Sequence, residues 1–330
     1  MHKFLKNLSK VGSHTLSILN GAVGDKLQNS LLEVPMGFYA DNRQLPLEPQ
    51  AIAAHCQRAA STISPKVCIL IHGLTHNEMA WNFPDNSNYG TFLERDFGHV
   101  PFYLRYNTGL HISENGQKLT QLLEQLHTQY PVALEEICLL AHSMGGLLVH
   151  SACHYAQEQG HQWPHKVRFI FLLATPHLGS FLEQFAHLTT HILARVPNWQ
   201  TRLVGKAIDL RSDGIKDLRF GYLREEDWQN PPEGAFERHQ NNIQKLENAA
   251  YYVIAARLTQ KQKHWVSTLF GDILVNTHSA SAHEDQTYAF PPENCYEFAE
   301  TNHFKIQTKP EVYEKIKDWI TQTHTQNTHP

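Results

Sequence analysis

The sequence predicts an α/β fold built on a doubly wound, mostly parallel sheet, and three observations carry that expectation. Short apolar runs recur along the chain, at 66–71 (KVCILI), 101–106 (PFYLRY), 136–141 (EICLLA), 166–174 (KVRFIFLLA) and 249–258 (AAYYVIAARL). Runs this short and this uniformly apolar suit strands buried on both faces. Segments of helical spacing lie between several of them, which is the alternation that covers a parallel sheet with helices. Finally, 330 residues, 41% of them hydrophobic, can bury one large core.

Taken in order, residues 1–34 read as an amphipathic helical segment, with Phe4, Leu5, Leu8 and Val11 on one side and Lys3, Lys6 and Lys10 nearby. Such a basic helix over 1–32 can lie peripherally on a membrane surface or pack on its own domain. Residues 35–47 predict two short strands around a turn at Asp41-Asn42. A helix is expected from Ser113 to Gln129, burying Leu119, Leu122, Leu123 and Leu126. Another follows the third strand directly, over 145–157. CYEFA at 295–299 reads as the last strand, and 309–323 as a closing helix through Val312, Ile316, Trp319 and Ile320.

Residues 175–248 break the alternation. Phe181, Phe185, Leu188, Ile192 and Val196 fall at helical spacing. This predicts a helical cap at about 180–245, inserted before the penultimate strand, over the sheet edge where open α/β folds bind ligands. The domain is then expected to span 35–324, with a polar tail at 325–330.

Composition narrows the function classes. The formal charge of −4 supplies no basic footprint for nucleic acid. Charged residues are 18%, below the usual level of about 25%. The five cysteines form no CxxC pair, and Cys68 and Cys138 sit inside strand-like runs. Reduced buried thiols favour a reducing, cytoplasmic setting over secretion. No stretch has the length and apolarity of a membrane span.

The sharpest motif is Ala141-His142-Ser143-Met144-Gly145-Gly146, entered by a strand and left by a helix. So tight a turn strains its middle residue and needs small neighbours two positions either side. Gly145 meets that need, and Ala141 exceeds it by one methyl group. The turn would present the Ser143 hydroxyl as a nucleophile. Upstream, His72-Gly73-Leu74 follows the 66–71 strand. The Leu74 and Met144 N–H groups together would bind an oxyanion.

The general base is expected after the last strand, at His303 in Thr301-Asn302-His303-Phe304, with His278 and His283 as competitors. Asp272, in Gly271-Asp272-Ile273-Leu274-Val275, is the expected acid that orients it. Asp213, Asp217 and Glu300 are the alternatives. His177 shows no partner at metal-ligand spacing. It is read, with Leu178, Phe181 and Phe185, as lining the substrate side. No metal or organic cofactor is required.

On these residues the chain resembles the lipase branch of the α/β-hydrolase superfamily, including bacterial triacylglycerol lipases and inositol-deacylase-like proteins. The shared marks are HGL at 72–74, HSMGG at 142–146, TPHLGS at 175–180, GDILV at 271–275 and NHF at 302–304. In bacterial lipases the acid lies in a DGLV-type segment and the base in an NH-type segment, which implies Asp272 and His303. Over most of its length the chain is similar to a group of uncharacterised bacterial hydrolases. They share the segments YNTGLHISENG (106–116) and GIKDLRFG (214–221), to which no chemistry attaches.

The resemblance implies an α/β-hydrolase fold and cleavage of carboxylic esters through an acyl-enzyme. The apolar cap suits a lipid-like acyl group, and equally suits plain core packing. Acyl transfer to an alcohol, and a non-catalytic scaffold on the same fold, are the rival expectations. The sequence leaves oligomeric state open.

Overall fold

Strands β1 (Gly37–Ala40), β2 (Arg43–Gln44), β3 (Lys66–Ile71), β4 (Val100–Arg105), β5 (Glu136–His142), β6 (Val167–Leu173), β7 (Ala250–Ala256) and β8 (Cys295–Phe298) form one sheet in the computed structural model. The structure describes residues 13–58, 62–176, 212–230, 245–256 and 290–327. The strand order is β2-β1-β4-β3-β5-β6-β7-β8. From β4 to β8 every pairing is parallel, while β1 runs antiparallel to both β2 and β4. The fold is that of an α/β-hydrolase, a mostly parallel sheet as the strand pattern predicts and of the kind the resemblance implies. Chain order reverses direction across β3, with β4 on one side and β5 on the other. The carboxyl ends of β3 and β5 therefore flank the crevice where ligands bind in such sheets.

Strand alternation explains the two layers. Val67, Ile69 and Ile71 point to one face, where they pack with Leu119, Leu123 and Leu126 of α4 (Ile112–Gln129) and with Leu148, Val149 and Ala152 of α5 (Met144–Glu158). Cys68, Leu70, Cys138 and Leu140 point to the other, against α3 (Tyr89–Phe97) and α8 (Pro310–Asn327), which contributes Val312, Ile316, Trp319 and Ile320. Cys68 and Cys138 lie side by side in register as free, buried thiols. Burial pushes both well above the ordinary thiol range, so neither is a nucleophile.

Local chemistry sets several boundaries. Asp41 and Asn42 both take positive φ, 51° and 61°, as a two-residue hairpin turn requires. Helix α3 starts in a reciprocal cap: Asn88 Oδ1 accepts from Thr91 N and Thr91 Oγ1 accepts from Asn88 N, each at 3.0 Å. Gly98 ends it in the left-handed region. Neither α3 nor α2 (Pro49–Cys56) is anticipated by the apolar periodicity. The tail boundary is corrected: α8 runs to Asn327, past the expected start of the tail at 325. Its buried face repeats once per turn up to Ile320, and helical hydrogen bonding carries on beyond it.

Of the predicted cap, the described part is 212–230, which forms α6 (Asp213–Phe220) and α7 (Glu225–Gln229). Phe181 and Phe185 lie outside the described residues. So does the basic stretch 1–12 of the N-terminal segment. Residues 13–34 pack on the domain: α1 (Ser13–Val23) buries the small residues Ser17, Asn20 and Gly21. The Asn20 side chain accepts from Val34 N and donates to Leu32 O, folding the segment back on itself. Among the described residues no helix is long and apolar enough to cross a membrane.

Gly21 is where α1 touches the sheet edge. A Cβ there would stand 2.5 Å from Thr75 Cγ2 and 3.0 Å from Thr75 Cα, too close for carbon atoms. Gly21→Ala is therefore expected to destabilise the protein by about 1–3 kcal/mol through overpacking. Chemical denaturation of the two proteins measures this, and an unchanged midpoint would show that α1 docks loosely.

Candidate active site

Ser143 joins the end of β5 to the start of α5 at φ 55° and ψ −125°. A non-glycine residue held there costs on the order of 1–3 kcal/mol and persists only where its surroundings dictate it. They do so by contact. A Cβ on Gly145 would lie 2.7 Å from the carbonyl oxygens of Ile71 and His72, and one on Gly146 would lie 2.1 Å from Thr175 Oγ1. The helix can leave the sheet this abruptly only because both positions lack a side chain. Ser143 N–H donates to Leu173 O at 2.9 Å, continuing the β5–β6 ladder into the bend.

The loop after β3 lies against the serine. A Cβ on Gly73 would sit 2.9 Å from Ser143 Cβ and 3.0 Å from His142 Nδ1. Thr75, in the left-handed region at φ 64°, donates its N–H to Thr108 Oγ1 at 3.1 Å. Leu74 N–H has no such acceptor among the described residues. Met144 opens α5, where the first N–H groups have no partner within the helix. The side chains of Leu74 and Met144 share one apolar cluster with Ile112, Leu147, Ile215, Leu218 and Leu223.

His303, between β8 and α8, places Nε2 2.9 Å from Ser143 Oγ. Its loop is fastened at three points. His142 Nε2–H donates to the His303 carbonyl at 2.8 Å. Asn302 Oδ1 accepts from Phe304 N and Lys305 N at 3.1 and 2.7 Å. Tyr89 Oη lies 2.7 and 2.8 Å from the carbonyls of Ile306 and Lys309, and accepts from Lys309 N at 3.1 Å.

Burial pushes the His303 imidazole down to about 4. His72, stacked on Tyr106 with ring centroids 4.5 Å apart, is likewise pushed down to about 4 by burial. His142 is driven well below the usual histidine range by burial and by His303 and His76 beside it. All three rings are neutral at pH 7. His303 can thus accept a proton from Ser143.

The predicted residues divide cleanly. The structure brings together Ser143, His303, Leu74 and Met144. Asp272, His177 and Leu178 lie outside the described residues, as do Phe181, Phe185 and the competing bases His278 and His283. Of the alternative acids, Asp217 is engaged by His111 and Ile112, and Asp213 pairs with Lys216. Glu300 is exposed. Among the described residues no three His, Cys, Asp or Glu side chains are grouped to hold a metal ion. The roles of Tyr89 and His142 as anchors of the His303 loop are absent from the sequence reading. Only the adjacency of His142 to the nucleophile hinted at the second.

Residues 62–215, which include the loop after β3 and the bend at Ser143, match the family described as "Putative serine esterase (DUF676)". The chain has the α/β-hydrolase fold. Among solved structures, it is similar to a lipase from Bacillus licheniformis in mature form, at 18% identity over 77% of this chain and 91% of that one, with a TM-score of 0.45. It is also similar to a Pyrococcus furiosus esterase, at 15% identity over 78% and 82% of the two chains, with a TM-score of 0.46. A thioesterase of the prodiginine biosynthetic pathway of Streptomyces coelicolor is 13% identical over 78% and 90%, with a TM-score of 0.42. No curated protein matches the sequence significantly.

The contact at Gly73 gives a direct test. Gly73→Ala is expected to lower turnover of a p-nitrophenyl ester on the order of 100-fold by displacing Ser143 or the loop facing it. Circular dichroism should stay unchanged, and turnover within a factor of two of the parent would refute the close approach.

Proposed function

We propose that the hydrolase cleaves carboxylic esters of lipid-like acyl groups through Ser143, His303 and Asp272. The observation that carries this reading is the 2.9 Å hydrogen bond between His303 Nε2 and Ser143 Oγ, formed between residues 160 positions apart. A neutral imidazole facing a serine held in a strained bend is the nucleophile–base pair of acyl transfer.

In this mechanism His303 Nε2 takes the Ser143 proton as Oγ attacks the acyl carbonyl carbon. The carbonyl oxygen becomes an oxyanion and accepts from the Leu74 and Met144 N–H groups. One such donor is worth roughly 3–4 kcal/mol in related chemistry. When the intermediate collapses, the C–O bond breaks and His303 protonates the departing alkoxide. An alcohol leaves, and the acyl group stays on Ser143. Water then gives its proton to His303 and attacks the acyl-enzyme, releasing the acid and regenerating Ser143.

Asp272 is proposed to hold His303 Nδ1–H and stabilise the imidazolium. The apolar cluster of Leu74, Ile112, Met144, Leu147, Ile215, Leu218 and Leu223 beside the bend supports a hydrophobic acyl group over a polar one.

Labelling with a fluorophosphonate tests the nucleophile: the wild type should be labelled and Ser143→Ala should not. Retained labelling in the variant would move the nucleophile elsewhere. p-Nitrophenyl esters of increasing length test the acyl group, and a fall in kcat/KM from butyrate to decanoate would overturn the lipid-like assignment.

The acid has its own signature. Burial alone holds His303 near 4, and a carboxylate at Nδ1 raises it by stabilising the charged form. The base form is required, so activity appears as pH rises through this value. Asp272→Asn should thus move the acid limb of kcat/KM downward and slow turnover by about 10⁴-fold. An unmoved limb with near-normal turnover would exclude Asp272.

A further inference from the structure

Two segments of the sequence, 106–116 and 214–221, carry no residue of the proposed mechanism, yet the structure joins them to each other. Asp217, on α6, is fully buried. Its Oδ1 and Oδ2 lie 2.9 and 3.1 Å from His111 Nδ1, and Oδ2 also accepts from Ile112 N at 2.7 Å. His111 occupies the cap position of α4 but offers that helix no side-chain cap. The Asp217 carboxylate supplies it from another element, at the end of α4 where negative charge is favoured.

The junction is closed on its other sides. The His111 ring stacks on Trp228 with centroids 4.1 Å apart and planes 7° from parallel, and Trp228 Nε1 donates to Ser113 Oγ at 3.0 Å. Gly214 N donates to Gly109 O at 3.1 Å. A Cβ on Gly214 would stand 2.2 Å from Thr108 O, so α6 lies flush on the 108–112 backbone. Ser212 Oγ donates to Gly21 O at 2.7 Å, tying the same point to α1.

Burial raises the Asp217 carboxyl to about 6, opposed by the His111 and Ile112 N–H groups and reinforced by Asp213. His111 is lowered by its own burial, but Asp217, Asp213 and Glu114 more than reverse this. Both partners are thus shifted upward, the carboxyl by its burial and the imidazole by the carboxylates around it. Lys216 on the same helix faces Asp213 and Asp25 instead.

What α6 covers gives the junction its meaning. Ile215 and Leu218, one and two residues either side of Lys216 and Asp217 on that helix, pack in one cluster with Leu74 and Met144. These are the two residues whose N–H groups face the oxyanion in the proposed mechanism. We propose that Asp217 is a positioning residue for ester hydrolysis: its grip on His111 and Ile112 seats α6 on Leu74 and Met144 and thereby fixes the direction of both oxyanion donors. This inference rests on the ester-hydrolase reading. It assigns Asp217 no contact with substrate.

The test compares wild type with Asp217→Asn, which keeps the shape and removes the charge, and with His111→Gln. Active serine is first counted by fluorophosphonate titration, so that loss of folded protein is separated from loss of rate. Per titrated serine, kcat should fall at least about tenfold in both variants with KM within twofold, a partial loss of donors that are each worth about 10²–10³. Affinity for a trifluoromethyl ketone, which forms an oxyanion on the serine, should fall by the same factor as kcat/KM. An unchanged kcat per titrated serine would overturn the inference, whatever happens to the melting temperature. So would failure of both variants to fold, since the junction would then serve stability alone. If wild type itself takes no label, it is the hydrolase reading that fails.

Discussion

The architecture turns on how closely a helix can approach the strand beside the one it leaves. At Gly145 the backbone of α5 lies against the Ile71 and His72 carbonyls, and at Gly146 it meets Thr175. Both contacts are closer than any side chain allows. They force the chain to reverse within one residue, and that residue is Ser143 at φ 55°. The strain is offset by the parallel ladder on either side, since β5 pairs with β3 and β6 along its whole length. Five buried central strands thus hold one hydroxyl at the crevice between β3 and β5.

The second requirement is electrostatic. The proposed role of Ser143 calls for a base, and the imidazoles of His72, His142 and His303 lie around the bend. Burial keeps each of them neutral, and the mutual repulsion of charged rings lowers His142 further. The cluster can therefore take up one proton at a time. His142 competes poorly for it, because burial and the neighbouring His303 and His76 rings hold its imidazole well below the usual histidine range. A polar site built this way has donors and acceptors without a standing charge to oppose the imidazolium that catalysis creates.

Much of this is legible in the sequence because the signals are local. A buried parallel strand is a short apolar run, so β3 through β8 are each visible within a residue or two. The bend is a small-residue motif between a strand and a helix, and His303, the proposed base, follows the last strand in chain order. What escapes is what depends on partners distant in sequence. The antiparallel attachment of β1 to β4 has no signature in either strand. Helix α3 is set by an Asn88–Thr91 cap that apolar periodicity does not register. Asp217 reads as one more acidic residue near a cap. Its partners lie more than 100 positions upstream, where His111 looks like any of the 23 histidines. For Asp272 the sequence and the resemblance it carries remain the basis of the assignment.

The anchoring of the His303 loop has a consequence for how such a site can change. Tyr89 and His142 come from the first half of the chain and hold the backbone of that loop. Ser143 itself lies in the same half, so the hydroxyl and the supports of the imidazole are inherited as one block. A change elsewhere in the described fold that leaves β5, α3 and this loop intact keeps the two groups at their 2.9 Å separation.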